Sequence, residues 1–222
     1  AVRSDGEIEV RVSPDWGIAD RLMFPVGADR GPPLAGRVTR NGESLVVLDK
    51  WRAAHAVPTN GAQGLTLAAW DGKRTIDANN ATTIALSPTE ALALVQRNRG
   101  EAAVYDLATG KVIAEFQDPY FARVAAFSPD GSRAATANHN GVVNLRCVRG
   151  CQEQRVWEHG AEVDALVFSP DGRFVVTGGE DGEVAVWDIE TGALAQRFKL
   201  SGAVLAVAFD PRDSTLLVGD IT

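Results

Sequence analysis

Between residues 163 and 200 apolar and polar residues alternate in short runs, and each run leads into a turn signal. VDALVF (163–168) precedes SPDG, RFVVTG (173–178) precedes EDG, EVAVWD (183–188) precedes ETG, and LAQRFKL (194–200) closes the stretch. Val163, Ala165 and Val167 interleave with Asp164, Leu166 and Phe168, the mixed period-two pattern of a strand covered on both faces. Within SPDG, Pro170 sets φ and Gly172 accepts a positive φ. The pattern predicts four strands joined by tight turns, an antiparallel sheet of about 40 residues.

The unit recurs. AFSPDGS (126–132), VFSPDGR (167–173) and AFDPRDS (208–214) share one frame, with a weaker copy, ALSPTEA, at 85–91. Their anchors Leu86, Phe127, Phe168 and Phe209 follow one another at a single constant interval. Val186-Trp187-Asp188 with Thr191-Gly192 has a counterpart two repeats earlier, Val104-Tyr105-Asp106 with Thr109-Gly110. VTRNGESLVVL (38–48) supplies a further anchor at Val38, and DGEIEV (5–10) resembles DGEVAV (181–186), so the chain opens in mid-unit. Locally, Ser87-Pro88-Thr89-Glu90 before ALALVQR (91–97) reads as a helix start. The repeat register on both sides overrides it and predicts a turn and a strand.

A four-stranded sheet cannot bury both faces alone, whereas sheets stacked around an axis can. The expected fold is therefore all-β: one β-propeller domain over 1–222, built of four-stranded antiparallel blades anchored near 38, 86, 127, 168 and 209. Divided by the repeat interval, the chain holds between five and six units. It starts at a third strand and stops after a second one (STLLVGD), so two arrangements are open: a closed five-bladed ring, or an arc of a larger, seven-bladed one. Ala1 in place of an initiator Met and the ending VGDIT favour an excerpt.

These residues resemble the WD-repeat β-propeller family, most clearly over 118–220. The resemblance implies an intrablade hydrogen-bonded tetrad, placed here on His159, Thr177, Asp181 and Trp187. A hydroxyl, a His and an Asp also suggest a catalytic triad, but their positions match the structural network. The corresponding positions elsewhere hold Asp118, Thr136, Asn140 and Arg146, or Asp77, Val95, Arg99 and Tyr105. Those units are expected to rely on packing rather than on the network.

Composition narrows the function. Apolar residues make up 45% and charged residues 23%, and 29 Asp and Glu against 22 Lys and Arg give a net charge of −7. That excludes the basic footprint of a nucleic-acid binder. Residues 53–70 are uncharged, but Pro58, Asn60, Gly61 and Gly64 interrupt any membrane-spanning helix. With no leader sequence visible, the expected compartment is the cytoplasm; the Ala-, Val- and Arg-rich composition suggests a bacterial protein. No nucleophile elbow, zinc-protease motif, phosphate loop or dinucleotide fingerprint occurs, and Asp171-Gly172 and Asp181-Gly182 lack the alternating oxygen ligands of a calcium loop. Cys147 and Cys151 flank a predicted turn, where two free thiols are expected over a hairpin disulfide or a metal site. No cofactor is expected.

Binding is expected on loops. In the resembled family, the loops entering first strands share the upper face with those joining second and third strands. Here these are 118–121, 158–162, 97–99, 138–140 and 179–180, with Tyr120, Phe121, His139, Glu162, Arg97 and Arg99 as candidate contacts. The stretch from Val38 to Trp70 is much longer than its counterpart from Phe168 to Trp187. The excess is placed between second and third strands, around residues 49–64, with Trp51, Arg52 and His55 as further candidates. The expected function is a non-catalytic scaffold or sensor module for protein partners, part of a larger signalling protein. The alternative is an enzyme-associated propeller that binds a small molecule or gates a hydrolase domain.

Overall fold

The computed structural model describes residues 81–89, 92–106, 109–150, 152, 154–210 and 215–221, and, before residue 81, the backbone of six strands. Twenty strands and no helix occur among the described residues. The first blade is β3 (Ala35–Val38), β4 (Ser44–Leu48), β5 (Ala54–Pro58) and β6 (Thr75–Ile76). The second is β7 (Ala81–Leu86), β8 (Leu92–Arg97), β9 (Glu101–Asp106) and β10 (Val112–Gln117). The third is β11 (Ala122–Phe127), β12 (Arg133–Asn138), β13 (Val142–Cys147) and β14 (Gln154–Glu158). The fourth is β15 (Val163–Phe168), β16 (Phe174–Gly179), β17 (Glu183–Asp188) and β18 (Leu194–Lys199).

Each blade is an antiparallel meander in chain order. The ambiguous segment after Ser87 is strand β8, as its register predicts. Two further pairs flank the blades: β1 (Glu7–Val12) with β2 (Gly17–Met23), and β19 (Val204–Phe209) with β20 (Leu216–Asp220). These are separate two-stranded sheets, so the pairing of last strands with first that a closed five-bladed ring needs is not made among the described residues.

The first blade corrects one expectation. Residues 54–58, placed in a long loop, are its third strand: Val47 pairs with His55 and Val46 with Ala56. The extra residues therefore lie between the third and fourth strands, from Pro58 to Thr75. The run AHAVP alternates too weakly to announce a strand, and Trp70 resembled the third-strand Trp; the ladder with β4 decides.

First strands lie against one another from blade to blade, β7 with β11, β11 with β15 and β15 with β19, and so form the inner wall. From the second blade on, each described blade buries its apolar face on the next. Phe127 and Val148 of the third blade join Leu92, Leu94 and Val104 of the second. Phe168, Val175 and Trp187 of the fourth join Leu145 and Trp157 of the third. The step is tight: a Cβ on Gly178 would lie 2.3 Å from Cγ1 of Val204. At Gly182 φ is +83°, and a Cβ there would meet the Gly202 carbonyl oxygen at 2.8 Å, so this turn requires glycine.

Cys147 is disulfide-bonded, which overturns the free-thiol expectation.

Candidate upper-face interaction site

Hydrogen bonds fix which loops meet. The Glu180 amide donates to the Glu162 carbonyl at 2.9 Å, His159 to Gly141 at 2.8 Å and Asp118 to Gly100 at 2.8 Å. Loops entering first strands are therefore clipped to turns between second and third strands, in their own blade or in the one before. These pairs bring the loop at 118 beside the turn at 100, the loop at 159 beside the turn at 141, and the loop at 162 beside the turn at 180.

Beneath the fourth blade's loops sits the tetrad. Nε1 of Trp187 donates to Oγ1 of Thr177 at 2.9 Å, and that hydroxyl turns its own proton to Nδ1 of His159, also at 2.9 Å. The remaining proton of a neutral His159 then lies on Nε2, 3.6 Å from Oδ1 of Asp181. Burial pushes the His159 pKa down, against the raising influence of Asp181. His159 and Thr177 are both 0% exposed, so the hydroxyl can meet no substrate and the triad reading fails. Asp188, after the Trp, accepts the Thr191 amide at 2.8 Å, and that bond holds its carboxyl below the usual range.

The third blade rebuilds this network with other groups. Asp118, Thr136 and Arg146 occupy the positions of His159, Thr177 and Trp187, one repeat earlier. Oγ1 of Thr136 donates to Oδ2 of Asp118 at 3.0 Å, and Nη2 of Arg146 donates to Oδ1 at 2.9 Å. Burial pushes the Asp118 pKa up, opposed by the Arg146 charge. The expectation of packing without a network is thus wrong for this blade, because a buried carboxylate–guanidinium pair replaces the imidazole–indole pair. In the second blade Val95 takes the hydroxyl position, and Nη2 of Arg97 donates to the Tyr105 hydroxyl at 2.7 Å.

Of the candidate contacts, three converge. Phe121 stacks on His139 with centroids 5.1 Å apart, and Tyr120 meets the same imidazole edge-on at 6.0 Å. Tyr120 is 48% exposed. Glu162 lies on the neighbouring blade. Arg97 serves the blade through Tyr105, whereas Arg99 is exposed and its carbonyl accepts Nε2 of Gln117. His55 falls on strand β5, not in a loop; its side chain, Trp51 and Arg52 lie outside the described residues.

Sequence reasoning missed Arg123 and Asp164. Register shifts break the ladder between first and second strands at four equivalent places, at Thr82, Arg123, Asp164 and Leu205. A bulge re-aims the extra side chain. Arg123 there pairs with Glu162 and with Asp164, the latter at 3.2 Å. The repeat frame marks these as equivalent positions; only backbone geometry shows that each is a bulge.

A family model described as "WD domain, G-beta repeat" matches residues 151–188. Residues 151–188 thus match a WD repeat, and the chain is similar to WD repeat-containing proteins. It is 30% identical over 137 residues to the WD repeat-containing protein SL1-17 of Schistosoma mansoni, across 61% of this chain and 45% of that one. It is 35% identical over 125 residues to Pre-mRNA-processing factor 19 homolog 2 of Arabidopsis thaliana, across 53% and 23%. The chain thus spans less than half the length of either relative. Among solved structures, a chain of a mitotic checkpoint complex superposes with a TM-score of 0.75 at 15% identity, covering 97% of this chain and 64% of that one. The Cps50 (Swd1) β-propeller domain of Myceliophteria thermophila gives 0.69 at 17% identity, covering 88% and 63%. At these identities the likeness speaks for the β-propeller fold alone.

Proposed function

We propose that this chain is a non-catalytic WD-repeat scaffold that presents its upper face to protein partners. One observation carries the reading: the frame repeats at a constant interval while the residues it displays do not. The four bulges hold Thr82, Arg123, Asp164 and Leu205, a hydroxyl, a guanidinium, a carboxylate and an isobutyl group. Leu205 is 52% exposed and Arg123 half exposed, so the bulges put apolar and charged groups on the surface together, the mixture of contacts that recognition draws on. The exposed aromatic cluster around Tyr120 is of the kind that anchors interfaces. A structural neighbour belongs to a complex, which accords with protein partners.

The test is affinity capture with the purified chain and with Phe121→Ala, Tyr120→Ala and Arg99→Glu variants that keep the wild-type melting midpoint. Loss of a reproducible set of bound proteins in the aromatic variants supports the reading. Capture unchanged in all three sinks it.

A further inference from the structure

Positions 121 and 139 of the third blade and 162 and 180 of the fourth are the same two structural places, one repeat apart. In the third blade they hold Phe121 and His139, stacked at 5.1 Å. In the fourth they hold Glu162 and Glu180, tied through the backbone at 2.9 Å. An aromatic pair and an acidic pair therefore occupy adjacent blades at one level. Arg123 links the third blade to one member of the acidic pair, Glu162. It leaves the third blade just after Phe121 and ends on Glu162 and Asp164 of the fourth.

We propose that this seam between the third and fourth blades receives a basic side chain from an extended segment of a protein partner. The inference rests on the interaction-face reading and adds the chemistry of the partner. Two carboxylates, Glu162 and Asp164, meet the single guanidinium of Arg123, and the exposed Glu180 sits on the turn bonded to Glu162, so the seam carries an excess of negative charge. Asp164 and Glu162 are only 16% and 24% exposed, which shields them from solvent screening more than surface carboxylates. Aromatic ring faces add attraction for a Lys or Arg head, and Tyr120 offers apolar area to a neighbouring residue. Arg123 is half exposed and already demonstrates in cis that a guanidinium is accepted there. The net charge of −7 favours the approach of such a segment and opposes an acidic one.

The experiment is selection from a random phage-displayed peptide library on the immobilised chain, followed by affinity measurement with synthetic copies of the enriched peptides. Enriched sequences should place Lys or Arg beside an apolar residue. Their dissociation constants should rise about tenfold in Glu162→Gln plus Glu180→Gln, and similarly in Phe121→Ala. Glu180→Lys, a change at an exposed position, is a second variant in which folding is not at issue and should abolish binding. Enriched peptides that are acidic or uncharged, yet lost in Phe121→Ala, would overturn the basic-segment proposal and leave the interaction face standing. Peptides that bind every variant equally, or no enrichment at all, would also overturn it; the first of these would count against the face itself.

Discussion

Trp157 and Trp187 lie with ring centroids 5.7 Å apart and planes inclined by 17°. One belongs to the outer strand of the third blade and the other to the third strand of the fourth, so the pair joins two blades. Nε1 of Trp157 donates to the Gly192 carbonyl at 2.9 Å, and Nη2 of Arg155 to that of Glu190 at 2.9 Å. The turn after Trp187 is thus gripped by its neighbour.

Trp187 therefore serves its own blade and the seam together. Trp187→Ala should lower stability by about 3–5 kcal/mol, as large core truncations do. Trp157→Phe keeps much of the packing and loses one hydrogen bond, a cost of about 1 kcal/mol. Urea unfolding midpoints check both, and equal midpoints for Trp187→Ala and the wild type would refute the assignment.

The Asp118–Arg146 pair has side chains only 3% and 12% exposed. Removing one partner strands a buried charge, so Asp118→Ala should cost about 3–5 kcal/mol. Asp118→Ala combined with Arg146→Met should recover part of that loss. A double-mutant cycle measures the coupling, and additive single effects would show that the pair is not a unit.

Gln96 is 0% exposed, and neither its Oε1 nor its Nε2 has a hydrogen-bond partner among the described residues. It takes the register place of Gly178, and Ala122 takes that of Val204, so small and large residues trade places across the seam. An apolar group of similar size removes the unmet polar demand. Gln96→Leu should raise stability by about 1 kcal/mol or more. A lower midpoint in this variant would count against the orphaned amide.

His159 has its pKa held below the usual 6.5 by burial. The unfolded chain then takes up a proton at this site before the folded one does. Its contribution is intact above about pH 6.5 and is lost progressively as pH falls from there toward the lowered folded value. Charging also removes the acceptor on Nδ1 that Thr177 uses. The difference in unfolding midpoint between wild type and His159→Gln should therefore shrink between pH 7.5 and pH 5. A constant difference would contradict a neutral buried imidazole.

Much of this was legible in the chain itself. Anchors at Leu86, Phe127, Phe168 and Phe209 set the frame, because a Pro recurs two residues after each, joined by the Gly of an SPDG turn after Phe127 and Phe168. His159, Thr177 and Trp187 were legible through the resemblance to WD repeats, which implies a His before the first strand, a hydroxyl on the second and a Trp on the third. Asp118 and Arg146 sat in that register too, but residue identity alone does not say that a charged pair will replace an imidazole and an indole. The strand at 54–58 and the Cys147 disulfide escaped because pairing partners, not local pattern, decide them.

The sequence by itself determined the period, the turns and the residues that fill each blade, since these follow from local sterics and from which faces must be buried. The tertiary structure alone decided which side chains come together across blades: Phe121 on His139, Arg123 on Glu162 and Asp164, Trp157 on Trp187. A one-residue bulge or a change of neighbour re-aims a side chain without altering the period-two pattern, so contacts between blades leave no local signature.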